Sequence, residues 1–519
     1  MKKKTSNSLI ILNSDLITKV ISELGNENFT FIINLIEELH PADTADLLET
    51  LNISRTYLEN KLKQYANKEF MYLRRHVNPQ LVRHIFAWGI PGLHRKPEQR
   101  RYYPSGEVSA QVIGTADIDA KGVEGLELAF NRWLHGEPGK RKIIRDRLGR
   151  EVEYLEETQS LKPGRDLISS LDQRLQYAAY RELKATVDQH AATSGTAVVL
   201  DVNTGEVLAM ANYPSFNPND KSRKLHKDNY RNRAVTDIFE PASAIKAFSI
   251  ASVLEQGHVT ATTVVDTSPG RLKVQGGMVR DPENYGMMTL PAILKRSSNV
   301  GVSRLVLDMP QGRLIDTYQR LGFGFSTQSG FPGEAAGILK DTEDRDFVLA
   351  TMAFGYGVAV TPLQLARAYA ILGSGGIKRP VTFVRQDDPV FGEKVMSSKV
   401  ATQVVDMLAH VIDSGRSRAK VNGYHVAGKT GTARKVDAKG YTKDKHRAIF
   451  GGLVPAKSPK VAMVVTINEP KNGQYYSNQV AAPLFSKIAS HYLRLFKVAP
   501  DLMETQGVYV AQASGANRS

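Results

Sequence analysis

Phe239-Glu240-Pro241-Ala242-Ser243-Ala244-Ile245-Lys246 leads into an apolar stretch of helical spacing that ends at Gly257, and its reading decides the fold. Ser243 and Lys246 stand three positions apart, on one face of a helix, so their amine and hydroxyl come within reach. A serine hydroxyl becomes a nucleophile when a neighbouring base takes its proton, and a desolvated lysine is such a base. Alone the pattern is cheap, because Ser417-Arg418-Ala419-Lys420 repeats it. Two further elements separate the copies. Ser297-Ser298-Asn299 follows a predicted helix over residues 290–296, and Lys429-Thr430-Gly431-Thr432 lies on a predicted strand. A Ser-x-Asn also occurs at Ser215-Phe216-Asn217, whereas Lys-Thr-Gly-Thr occurs once.

Composition narrows the chemistry. The 519 residues hold 42% hydrophobic and 23% charged residues, ordinary values for large globular cores, and the length predicts two to four domains. A net charge of +15 fits solubility or an acidic partner. The basic residues are dispersed beyond Lys2-Lys3-Lys4, which argues against nucleic acid as a partner. There is no cysteine, so disulfides, thiol nucleophiles and thiolate metal sites are excluded. The histidines form no His-x-x-x-His pair. Glu37 to His40 and Glu255 to His258 lie in unlike segments, so no metal site is expected.

Outward from Ser243 the chain gives an α+β pattern. Residues 14–25, 29–39 and 41–51 read as amphipathic helices, with a break at His40-Pro41. Residues 31–49 also have a short similarity to the cytosolic helical domain of magnesium transporters, and a helical hairpin accounts for the same pattern. No apolar run in residues 1–55 approaches the roughly 18 residues of a membrane span. Lys2-Lys3-Lys4 starts like a signal peptide, but no adequate apolar region follows it, so no export signal is read here. Residues 71–75 and 100–104 read as strands joined by turns about Pro91-Gly92. Residues 122–130 read as a turn feeding a helix with Phe130, Trp133 and Leu134 as its apolar stripe, and Lys162-Pro163-Gly164 reads as a boundary. A long helix from 171 to about 190, a hairpin of 196–201 and 206–211, strands at 425–433, 448–453 and 461–467, and a closing helix over 479–496 follow. That order predicts an α+β domain with an antiparallel sheet flanked by helices. The tail from Pro500 is expected to be loose.

Serine acyl-transfer enzymes that react with penicillin use Ser-x-x-Lys, then Ser-x-Asn, then Lys-Thr-Gly. Ser417 follows the Ser-x-Asn element and Ser215 precedes Ser243, so both decoys have the wrong order. With Arg101-Tyr102-Tyr103-Pro104, Gly122-Val123-Glu124-Gly125, Arg145-Asp146-Arg147-Leu148-Gly149-Arg150, Asp201-Val202-Asn203-Thr204-Gly205 and Phe354-Gly355-Tyr356-Gly357, the chain resembles the class B penicillin-binding proteins over residues 67–498. Within them it is most similar to the septal, cell-division peptidoglycan D,D-transpeptidases.

The resemblance implies a pedestal (dimerisation-type) domain over 56–164 and a penicillin-binding/β-lactamase-like transpeptidase domain over 165–498. An atypical helical segment (1–55) precedes them and a loose tail (499–519) follows. It implies catalytic roles for Ser243 (nucleophile), Lys246 (base), Ser297 (proton relay), Asn299 (amide holder) and Lys429. Thr430, Gly431 and Thr432 would bind substrate, with the hydroxyls of Thr430 and Thr432 on its carboxylate and the N–H groups of Ser243 and Thr432 as oxyanion hole. No metal or organic cofactor is implied. Implied partners are peptidoglycan stem peptides, β-lactams as inhibitors, a polytopic septal glycan polymerase and other division proteins. The implied location is the inner membrane, with the catalytic domain in the periplasm. The same scaffold also serves D,D-carboxypeptidases, β-lactamases and non-catalytic penicillin-binding sensors or division scaffolds. Glu240 reads as structural, near the helix N-terminus where negative charge is favoured, and 354–357 as a packing turn under the site.

Overall fold

Alternating apolar residues build the smaller of the two units into which the chain packs, 1–102 with 116–121. The computed structural model describes residues 6–12, 41–65, 71–90, 93–145, 151–220, 227–340, 346–437 and 440–502. The helices expected at 14–25 and 29–39 lie outside them. In this unit β1 (Ser6–Leu12) is the middle strand of an antiparallel sheet, between β2 (Met71–Val77) and β3 (Leu93–Gln99). The apolar run Leu9-Ile10-Ile11-Leu12 is thus a central strand. Helices α1 (Pro41–Thr50), α2 (Arg55–Gln64) and α3 (Pro79–Phe86) complete the unit. Leu51, Leu58, Leu62, Met71, Leu73, Val82 and Ile85 form its core.

One expectation fails here. The strand at 71–75 is present, but 100–104 is irregular, the second strand is 93–99, and α3 lies between them. Asn78-Pro79 is a helix start: the Asn78 side chain accepts from the Gln80 N–H at 2.8 Å, and proline suits the first helical position.

The larger unit holds 103–115 and 122–519. The helix read after Gly122 is two short ones, Gly125–Ala129 and Asn131–His135. Leu126 is buried and Phe130 packs against the core, whereas Trp133 is 46% exposed, so only part of the expected stripe is a core face. The Trp133 indole N–H donates to the Asp166 carbonyl, and Arg165 lies over the ring. β4 (Lys140–Arg145) and β5 (Glu151–Gln159) form a two-stranded ribbon. Lys162 and Pro163 pair with Gly136 and Glu137.

Beyond this, α4 (Gln173–Gln189) is capped by Asp172, which accepts from the N–H groups of Arg174 and Leu175. The hairpin β6 (Ser194–Asp201) and β7 (Val207–Tyr213) follows. Helices α5 (Lys246–Glu255), α6 (Leu290–Arg296), α7 (Asn299–Leu307), α8 (Pro362–Gly373) and α9 (Ser398–Asp413) make up the middle. β8 (Ala427–Asp437), β9 (Gly440–Val454), β10 (Val461–Asn468) and α10 (Ser477–Leu495) close the unit.

The five strands form one antiparallel sheet in the order β8-β9-β10-β6-β7. Both faces are buried. Val198, Leu200, Ala462 and Val464 point into the cluster that includes α5, α8 and α9, while Ala197, Val199, Met463 and Val465 point into that of α4 and α10. Period two delivers alternate residues to opposite cores, which is why these strands read as unbroken apolar runs.

The hairpin of β8 and β9 extends past the predicted 433 and 448, because its outer pairs, such as Arg434 with His446, carry no apolar signal. Part of the expected loose tail is docked. The Leu502 N–H donates to the Gly423 carbonyl at 3.0 Å, and the Asp501 carboxylate accepts from the His425 N–H at 2.7 Å. Among the described residues no helix is long and apolar enough to cross a membrane.

Candidate active site

Ser243 lies in a single 3-10 turn, Ala242–Ile245, that runs directly into α5. Two glycines let backbone close on this turn from two sides. A Cβ on Gly431 of β8 would meet the Pro241 carbonyl oxygen at 2.5 Å, and one on Gly355 would meet that of Ala242 at 2.2 Å. The Ala242 N–H donates to the Gly355 carbonyl, and Ala242 holds φ +46°, a strained left-handed conformation for a residue with a side chain. The packing role expected for Phe354-Gly355-Tyr356-Gly357 is therefore met through the Gly355 backbone.

Lys246, at the start of α5, is fully buried. Its Nζ donates to the Ser297 carbonyl at 2.6 Å, to Asn299 Oδ1 at 2.8 Å and to Ser297 Oγ at 3.2 Å. An ammonium has three hydrogens, and these three acceptors use them all. Ser243 is not among the partners, so the expected amine–hydroxyl contact is absent in this arrangement. Loss of one proton would free a lone pair. Burial and then the positive charge of Lys429 hold the Lys246 pKa well below the ordinary lysine value, against a smaller opposing pull from Asp281.

Ser297 occupies the left-handed residue (φ +57°) between α6 and α7, where one helix ends and Ser298 caps the next. Lys429, on β8, donates to the same Ser297 Oγ at 3.2 Å and to the Thr430 carbonyl at 3.3 Å. Burial pushes its pKa down to about 8. Lys246 and Lys429, remote in sequence, thus meet at the Ser297 hydroxyl, and Asn299 joins them through Lys246. The decoys do not join them: Ser215 Oγ donates to the Glu107 carbonyl, and Lys420 donates to that of Asp413.

Three residues of the site escaped sequence reasoning. Asp281 accepts from the N–H of Asn299 and the hydroxyl of Ser298, each at 2.5 Å, and from the Val300 N–H at 3.2 Å. It caps α7 and fixes the Ser-Ser-Asn turn, and the Asn299 amide donates onward to the Arg280 carbonyl. Asp281 is 17 positions before Ser298, and only the fold brings them together. Tyr441 is the second. Its hydroxyl meets both oxygens of Glu240 at 3.0 Å, and the Gly357 N–H donates to that carboxylate at 2.9 Å. Glu240 thus ties the turn at Gly357 to the start of β9, a structural role as expected. The third is Ser477, the first residue of α10, whose hydroxyl is 2.8 Å from that of Thr432.

Comparisons with known proteins agree with this architecture. The profile of the penicillin binding protein transpeptidase domain matches residues 195–490, and that of the penicillin-binding protein dimerisation domain matches 19–169. The second match takes in 31–49, where the sequence has its short likeness to a transporter domain. The chain is 43% identical over 462 residues to the peptidoglycan D,D-transpeptidase FtsI of Escherichia coli K12, covering 88% of this chain and 78% of that one. It is 40% identical over 459 residues to the probable peptidoglycan D,D-transpeptidase PenA of a Neisseria meningitidis serogroup A strain, covering 88% and 78%. Among solved structures, the transpeptidase domain of Burkholderia pseudomallei penicillin-binding protein 3 superposes with a TM-score of 0.60 at 37% identity, covering 66% of this chain and all of that one. The three motifs that meet at Ser297, on an antiparallel sheet between two helical layers, and these likenesses place the chain in one family: it belongs to the class B penicillin-binding proteins.

Proposed function

We propose that this chain is a serine-type peptidoglycan D,D-transpeptidase of septal wall synthesis. The observation that carries the reading is the meeting of Lys246, three residues after Ser243, with Asn299 and with Ser297, whose hydroxyl Lys429 also reaches. Ser243 Oγ attacks the carbonyl of a D-alanyl-D-alanine bond, and neutral Lys246 takes its proton. Ser297 Oγ, in contact with both amines, passes a proton to the departing D-alanine. The peptide is held as an ester on Ser243 until the amine of a neighbouring stem peptide attacks it and restores the hydroxyl. Asn299 holds a substrate amide. Protonated Lys429, with Thr430 and Thr432, attracts the terminal carboxylate. N–H groups of Ser243 and Thr432 face the developing oxyanion, each donor typically worth about 3 kcal/mol. The chemistry needs no metal or organic cofactor.

The hydrolytic alternatives require a group that activates water on the acyl-enzyme. The carboxylates of Asp281 and Glu240 are both committed, one to the Ser298–Val300 turn and one to Gly357 and Tyr441. This favours a long-lived acyl-enzyme. The proposed domain limits are a pedestal over 56–164 and a transpeptidase domain over 165–498. The proposed setting is the periplasmic face of the inner membrane, beside a polytopic glycan polymerase and other division proteins.

Labelling with a fluorescent penicillin tests the reading. Wild type is expected to label with a 1:1 adduct that Ser243→Ala abolishes, and the adduct is expected to persist for minutes by intact-mass spectrometry. Free enzyme restored within seconds would point to a β-lactamase. Absence of any label dependent on Ser243 would point to a non-catalytic scaffold.

A further inference from the structure

Ser477 sits where β8, β9 and α10 meet, 1% exposed. Its hydroxyl bridges the facing pair Gly431 and Ile449, taking the Ile449 N–H at 3.0 Å and approaching the Gly431 carbonyl oxygen at 2.5 Å. A carbonyl only accepts, so the single hydrogen of Ser477 lies on Gly431. The hydroxyls of Ser477 and Thr432 are 2.8 Å apart, and that contact also needs a hydrogen. Only Thr432 has one left to give. The Ser477 N–H, an unpaired donor of the first turn of α10, in turn donates to Thr432 Oγ1 at 3.2 Å.

The hydrogen count fixes Thr432. Its one hydrogen is directed at Ser477, and what it shows the cleft is a lone pair. A carboxylate has no hydrogen to offer such a lone pair. Building on the transpeptidase reading above, we propose that Ser477 is a positioning residue for the substrate-carboxylate subsite: it holds the Thr432 hydroxyl in its non-donating orientation, so that carboxylate binding requires the hydrogen to swing away from Ser477. The swing gives up one neutral hydrogen bond, a net contribution of about 1 kcal/mol, or about fivefold in affinity.

The test is acylation kinetics resolved into the dissociation constant of the first complex and the acylation rate constant. A penicillin and its carboxylate methyl ester are compared on wild type, Ser477→Ala and Ser477→Gly. The two variants delete the hydroxyl by different routes, so a folding defect in one leaves the other. For the free penicillin, the dissociation constant is expected to fall about fivefold in both variants with the rate constant within about twofold of wild type. The ester is expected to bind all three alike, and in a Thr432→Val background the effect of Ser477→Ala is expected to vanish. A purely structural role would lower the rate constant and act on acid and ester equally. That result, or an unchanged or weaker affinity for the acid, overturns the inference while leaving the transpeptidase reading intact. No labelling of wild type at Ser243 overturns both.

Discussion

Lys246 must lose a proton to act, and Lys429 must keep one. Both lysines are held below the ordinary value of 10.5, Lys246 well below it and Lys429 at about 8, with burial the leading cause for each. Acylation is expected to rise with pH on the acid side as Lys246 deprotonates, and to fall above about 8 as Lys429 loses its charge. The two groups share Ser297, so the limbs belong to the pair. Lys429→Arg keeps its charge throughout and is expected to remove the alkaline limb alone, measured as the second-order acylation rate against pH. Stability follows the same shift. Between about 8 and 10.5 the unfolded chain binds the Lys429 proton and the folded chain does not, so the unfolding free energy rises with pH across that window. Lys246, also held well below 10.5, contributes with the same sign, so Lys429→Met is expected to reduce that rise in denaturant titrations without abolishing it. Asp281→Ala leaves the Asn299 and Val300 N–H groups at the start of α7 without their acceptor and frees the Ser-Ser-Asn turn. It is expected to lower stability by about 2 kcal/mol in denaturant unfolding, and acylation by tenfold or more.

Elements position the site by backbone contact. β8 lies against the Ser243 turn only because residue 431 has no side chain. In Gly431→Ala, the new Cβ at 2.5 Å from the Pro241 oxygen must push strand or turn away. A misplacement of about 1 Å is expected to lower acylation by about a hundredfold while the thermal transition stays cooperative. The end of the described chain also acts on this strand. Asp501 accepts from the N–H groups of His425 and Lys457, which flank the start of β8 and the end of β9. Asp501→Ala is expected to cost about 1–2 kcal/mol in denaturant unfolding, the loss of two charge-assisted bonds on partly exposed groups.

At the scale of the whole molecule the chain packs as two units with separate cores. Two calorimetric transitions are therefore expected. Acylation by a β-lactam, which touches only the larger unit, is expected to raise one transition and leave the other in place. Superposition of the two shifts would mean that the cores unfold together.

Much of this is legible in the sequence alone. The order of the three motifs along the chain singled out Lys246, Ser297, Asn299 and Lys429, whose side chains meet, and the Ser243 turn against which Gly431 packs; the hairpin at 194–213 and the strands near 427, 448 and 461 were visible as apolar runs. Local patterns reach that far because periodicity and motif order are properties of the chain itself. Other features came only from folding. Asp281 and Ser477 carry no pattern, since their partners are 17–19 and 28–46 positions away and a hydrogen bond to a distant residue leaves no mark nearby. Trp133 read as core and is exposed, because apolar spacing says which residues share a face and not what covers it. Likewise the sequence placed Lys246 beside Ser243, while tertiary packing turned its amine toward Ser297 and Asn299: an amine of three hydrogens goes where a buried cluster offers three acceptors.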